Sequence, residues 1–144
     1  MPESEIGKVI EVFVSIKGGN KENPLEIRMD EEGIFDDKFY AKGVERSVLI
    51  ASLYSYNLAL ENNIDVSKGS LGENILIDLN PYNLEAGSKL FIGEVVLEIT
   101  KNCTICNSLG KVDENLPKIL NKDRGIFAKV LKSGKIRKGD TVKF

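Results

Sequence analysis

Cys103 and Cys106 are the two cysteines of a 144-residue chain that contains no histidine. They stand three positions apart, directly after the apolar run from Glu94 to Thr100. A thiolate is a nucleophile and a soft-metal ligand, and nearby cations and solvent access set how much of it forms. Lys101 and Lys111 flank the pair, Lys118 and Lys122 follow, and Asn102 and Thr104 keep the segment polar. If the chain does covalent, redox or soft-metal chemistry, these two thiols are almost the only groups that could carry it.

Several arrangements of the pair are open. A thioredoxin-type site needs the first cysteine at a helix start after a parallel strand. Asn107-Ser-Leu-Gly110 after Cys106 is a poor helix opening. A tetrahedral zinc site needs four ligands, so two thiols would have to be shared across a dimer. Two small residues closing a turn is the structural alternative.

Other residue groups carry weaker signals. Arg46, preceded by Glu45, leads an apolar run and could hold an anion bidentately. Asn74 lies in Gly72-Glu73-Asn74-Ile75, where an amide can fix a loop or bind a ligand through both donor and acceptor. Asp36 and Asp37 are adjacent, so on an extended chain their carboxylates point apart and do not form a catalytic pair. No phosphate-binding glycine loop, no Ser/His/Asp set and no dinucleotide fingerprint is present.

These groups must be positioned by short strands. From Gly7 to Lys17, the period-two spacing places Ile10, Val12, Val14 and Ile16 on one buried face. Leu25–Met29, Arg46–Ile50, Glu73–Leu79, Lys89–Ile92 and Val95–Ile99 read as further strands, as do Gly125–Leu131 and Lys135–Val142. Ile34–Lys42 reads as a loop or a short edge strand. Ser52–Asn62 is the main helix, capped by Ser52, with Leu53, Tyr56 and Leu60 near one face. Pro117 limits any helix at Leu116–Asn121 to a first turn. Gly134 to Asp140 is a turn-strand-turn unit that closes small β-barrels. The expected fold is mixed α/β, predominantly β: a bent barrel with one main helix, in a single domain over residues 1–144.

Composition bounds the function. Hydrophobic residues make up 42% and charged residues 29%, as in an ordinary globular protein. A net charge of −2 lacks the basic surplus of a nucleic-acid binder. No apolar run reaches the ~18–20 residues of a membrane helix, and the start Met1-Pro-Glu-Ser-Glu5 lacks a signal-peptide pattern. A cytoplasmic location is expected, where a Cys-x-x-Cys pair is more often reactive or metal-binding than a static disulfide.

In their order along the chain, these pieces resemble the MOSC domain, the module named for the C-terminal part of molybdenum cofactor sulfurase. The likeness runs from the opening strand at Gly7 through Arg46–Ser52 with its helix and Gly72-Glu-Asn-Ile75. It continues through the double strand of Asn80–Thr100, the cysteine segment, and the closing runs Gly125–Leu131 and Gly134–Asp140. The resemblance implies a mixed, strongly bent barrel that handles sulfur or the molybdenum cofactor, molybdopterin. It implies a thiolate that carries persulfide sulfur or ligates molybdenum, with Cys106 best matching the cysteine of cofactor-binding members. Cys103 matches a second cysteine three residues earlier, or the single cysteine of small standalone members. Arg46 and Asn74 would line the pocket, and a cysteine desulfurase or a molybdoenzyme would be the partner. The chain departs from the pattern at Gly33–Phe39, which has no histidine, and at Ile105, where an arginine often stands. A non-catalytic module for a pterin, another anionic ligand or a protein partner is the alternative function.

Overall fold

A computed structural model describes residues 6–16, 21–103 and 113–144 of the chain. Seven strands close a barrel in the order β1 (Ile6–Val12), β12 (Thr141–Lys143), β8 (Lys89–Ile92), β9 (Val95–Asn102), β10 (Ile126–Lys132), β6 (Val48–Ser52) and β7 (Ile75–Ile77). All neighbours in it are antiparallel except β6 and β7, which run parallel with Ile50 opposite Ile75. Parallel neighbours need a crossover, and α1 (Leu53–Glu61) provides it. A three-stranded sheet of β11 (Gly134–Arg137), β4 (Glu26–Asp30) and β5 (Gly33–Ile34) accompanies the barrel, with a two-stranded piece formed by β2 (Val14–Ser15) and β3 (Lys21–Glu22). No helix among the described residues is long and apolar enough to cross a membrane.

Alternation along the strands divides the apolar residues between two cores. Ile50, Ile75, Ile77, Leu90, Leu97 and Ile126 fill the barrel. Ala51 and Leu76, their outward neighbours, pack with Tyr56, Ala59, Leu71, Leu116 and Leu120 under α1 and the one-turn helix α2 (Leu116–Ile119). The site described below adjoins this second, outer core.

Two expected faces are corrected. Between Val9, opposite Ile77, and Glu11, opposite Leu76, β1 carries an extra residue. That bulge turns Ile10 out to the second core while Val9, Val12 and Val14 point into the barrel. On α1, Ser52 caps the N-terminus by accepting from the Tyr54 amide at 3.0 Å, as its type suggested. Leu60 is exposed, however, and Ala59 takes the buried position with Tyr56. The segment from Phe35 to Lys42 is a series of turns, with Phe35 and Tyr40 packed edge to face.

Candidate functional site

Cys103 directly follows β9. Its amide donates to the Gly125 carbonyl at 2.9 Å, which extends the β9–β10 pairing by one step. This pairing brings Arg124, the residue before Gly125, against the cysteine. Arg124 Nη1 donates to Cys103 Sγ at 2.8 Å and Nη2 donates to the Leu71 carbonyl at 3.0 Å. Cys103 is 5% exposed and Arg124 6%. The third donor position, Arg124 Nε, is buried with no hydrogen-bond partner. Leaving such a group unsatisfied costs about 1–3 kcal/mol.

The loop that receives Arg124 also holds a buried carboxyl. Glu73 is fully buried. Its Oε2 accepts from the Tyr56 hydroxyl and, at 3.3 Å, from the Gly69 amide, while Oε1 has no partner. Burial pushes the Glu73 carboxyl up, and the Tyr56 hydrogen bond only partly offsets this. On the far side of the loop, Lys21 Nζ donates to the Gly69 carbonyl at 2.8 Å and lies 5.7 Å from the Phe13 ring centre. Burial pulls the Lys21 amine down, opposed by the charges of Glu73 and Asp37 and reinforced by those of Lys38 and Arg124. Burial also pushes the Tyr56 phenol up, with the Glu73 charge adding to the effect.

Glycines let the loop make this turn. Gly69 has φ +92, and a Cβ there would stand 2.9 Å from the Phe13 ring. Gly72 has φ +86, and a Cβ would lie 3.5 Å from Arg124 Nη2. Both angles are costly for residues with a side chain.

Asn74 bolts the base of this loop to three other segments. Its Oδ1 accepts from the Leu49 amide at 3.0 Å, and its Nδ2 donates to the Phe13 carbonyl at 3.3 Å and to Asp37 Oδ1 at 3.1 Å. The second lone pair of Oδ1 is what remains to this side chain for a ligand. Asp37 is buried and accepts further from the Ser15 and Phe39 amides, whereas Asp36 is exposed. The two carboxylates thus point apart, as adjacent residues should.

Arg46 stands on a 3-10 turn (Val44–Arg46), exposed, with its guanidinium 5.8 Å from the ring centre of Phe127 on β10. Cys106 lies outside the described residues, as do Lys111 and Ile105. Among the described residues no group of three or more Cys, Asp or Glu side chains is placed to hold a metal ion.

Comparison with known proteins gives the lineage. The model of the MOSC domain matches residues 36–143. The chain belongs to the MOSC domain family. The fold agrees: the YuaD protein from Bacillus subtilis superposes with a TM-score of 0.87 at 17% identity, covering 99% of this chain and 97% of that one. YiiM from Escherichia coli gives 0.70 at 19% identity over 96% and 69% of the two chains. YiiM from Geobacillus stearothermophilus gives 0.67 at 13% identity over 97% and 75%. A sequence search of curated proteins gives no significant match. Within this MOSC domain, Arg46, Asn74, Cys103 and Arg124 all fall in the matched span, and Lys21 precedes it.

Sequence reasoning passed over Arg124, Glu73 and Lys21. A signal existed for two of them. Arg124 stands just before the strand that pairs with the one leading to Cys103, so an antiparallel hairpin would bring the two together. Glu73 sits inside the Gly-Glu-Asn element, directly before Asn74. Nothing local marked Lys21, which reaches the site from a two-residue strand.

Proposed function

We propose that this MOSC protein carries sulfane sulfur on its Cys103/Cys106 dithiol, with Cys103 as the thiolate held by Arg124. The observation that carries this reading is the guanidinium at 2.8 Å from Sγ in a largely water-excluded setting. A positive charge so close acts in favour of the thiolate, against the cost of burying a charged sulfur. Transfer from a donor persulfide is then a simple displacement. The Cys103 thiolate attacks the outer sulfur, the donor's S–S bond breaks, and the donor leaves as a thiolate. The sulfane sulfur stays on Cys103, and no oxidant or reductant is consumed. Cys106, three residues on, is the second thiol to which the sulfur would pass. A cysteine desulfurase fits as the donor, and a molybdoenzyme fits as the partner on the acceptor side.

The family's link to the molybdenum cofactor fits the same donor set, because a thiolate suits a soft metal and Arg124 Nε offers an unused donor beside it. Cys103 or Cys106 would supply that thiolate, and the exposed Arg46 would meet the phosphate of a pterin. When bound, the cofactor would supply a molybdenum centre able to hold a terminal sulfur.

Incubation with a cysteine desulfurase and cysteine, followed by peptide mass mapping, tests the reading. The expected product is one sulfur mass added at Cys103, absent from Cys103→Ser. Sulfur confined to Cys106, unchanged in Cys103→Ser, would transfer the carrier role to that residue and refute the part given to Arg124.

A further inference from the structure

The geometry points to a donor class: the Cys103–Arg124 site takes sulfur from small donors that carry an oxyanion next to the sulfane sulfur, the class of thiosulfate. This rests on the sulfur-carrier reading above and goes on to name its substrate. The observation behind it is the unpartnered Nε of Arg124. Nη1 is committed to Cys103 Sγ and Nη2 to the Leu71 carbonyl, while Nε is buried and idle. Buried donors are nearly always satisfied, and an exception calls for a missing partner. A guanidinium is flat and rigid, so an acceptor that meets Nε is held in fixed relation to the sulfur bonded to Nη1. Arginine N–H groups pair most strongly with oxyanions.

The surroundings suit such a guest. Gly72 lies alongside the guanidinium, and a Cβ there would come to 3.5 Å from Nη2, ordinary contact distance. The Lys21 amine lies within electrostatic reach of Arg124, although burial and that same guanidinium disfavour its charged form. The nearby carboxyl of Glu73 is biased by burial toward its neutral form, which weakens its repulsion of an anion. Asp37, the other acidic group acting on Lys21, is engaged by the Ser15 and Phe39 amides and by Asn74.

The step balances without a co-reactant. The Cys103 thiolate attacks the outer sulfur of thiosulfate and a new Sγ–S bond forms. The bond to the oxygen-bearing sulfur breaks, and sulfite leaves with that electron pair. Arg124 Nε donates to one sulfite oxygen during the displacement. The enzyme-bound product is a persulfide anion.

The test uses the full chain with Cys106→Ser, so that only one thiol reports. Thiosulfate and inorganic polysulfide are compared as donors, and the readouts are mass at Cys103 and sulfite release. Thiosulfate should load Cys103 with stoichiometric sulfite, and sulfite should strip a polysulfide-loaded protein back to thiosulfate. Arg124→Lys, which keeps the charge but not the fork, should slow loading from thiosulfate by about tenfold or more relative to loading from polysulfide. Equal slowing with both donors would refute the oxyanion contact. Loading from polysulfide alone, with no stripping by sulfite, would overturn the donor class and leave the carrier reading standing. If neither donor loads Cys103, the donor class is overturned, and loading by a cysteine desulfurase decides whether the carrier reading stands. Should Arg124→Lys not fold, the stripping reaction in the Arg124-containing protein decides the question.

Discussion

Replacing Glu73 by glutamine removes one titrating carboxyl from a fully buried site while keeping its volume and an oxygen for the Tyr56 hydroxyl. The carboxyl is raised above the ordinary glutamate value of 4.5 by burial. Above that value the unfolded chain gives up the proton and the folded chain retains it. The folded state then binds one more proton than the unfolded state, so stability falls as pH rises, until the folded group ionises in its turn. The slope for one proton is about 1.4 kcal/mol per pH unit. For a domain of this size it corresponds to roughly 5 °C of melting temperature per unit. Lys21 acts with the opposite sign, because burial lowers its amine and stability is regained as pH rises toward 10.5. Both proteins carry Lys21, so the burial part of its contribution cancels between their curves, and what remains is Glu73 together with its charge coupling to Lys21. Melting temperatures of wild type and Glu73→Gln, followed by circular dichroism from acid to mildly alkaline pH, should converge near pH 4.5 and separate above it. The variant should be the more stable at the upper end. Parallel curves over that whole range would refute the assignment of a proton to Glu73.

Asn74→Ala should destabilise by about 2–4 kcal/mol in a denaturant titration, because the buried Leu49 amide loses its partner and Phe13 and Asp37 each lose a donor. Asn74→Asp should be worse at neutral pH, since it sets a carboxylate beside Asp37, and should recover partly in acid; stability equal to wild type at neutral pH would contradict the bolt. Arg46→Ala should change stability by less than about 1 kcal/mol, the scale of an exposed cation–π contact with Phe127.

The barrel was legible because its strands obey simple alternation. The hairpin from Lys89 through Gly93 into Val95–Ile99 appears where the spacing placed it, with Leu90 opposite Leu97. The Ser52 cap was likewise readable from residue type. Alternation failed at Ile10, because a bulge adds a residue without any mark in a run of β-branched side chains. Leu60 failed for a different reason: at its place on α1 the smaller Ala59 fits the space beneath the helix. The site was harder to read. Cys103 announces itself by type, but its partner lies 21 residues away and becomes a neighbour only through the β9–β10 register. Glu73 reads locally as an ordinary surface charge; only the chain folding over it makes it a buried acid. Charged residues at strand starts became informative once the strands were paired.

Closing the barrel through the β6–β7 junction has a consequence for how copies of the chain meet. Every barrel strand already has two neighbours, so none of them is an open edge strand. In the three-stranded sheet, the outer strands are the two-residue β5 and the short β11, which displays Lys135 and Arg137. Short length and charge both discourage intermolecular pairing. Self-association by strand exchange or fibril-like stacking is therefore guarded against at these outer strands.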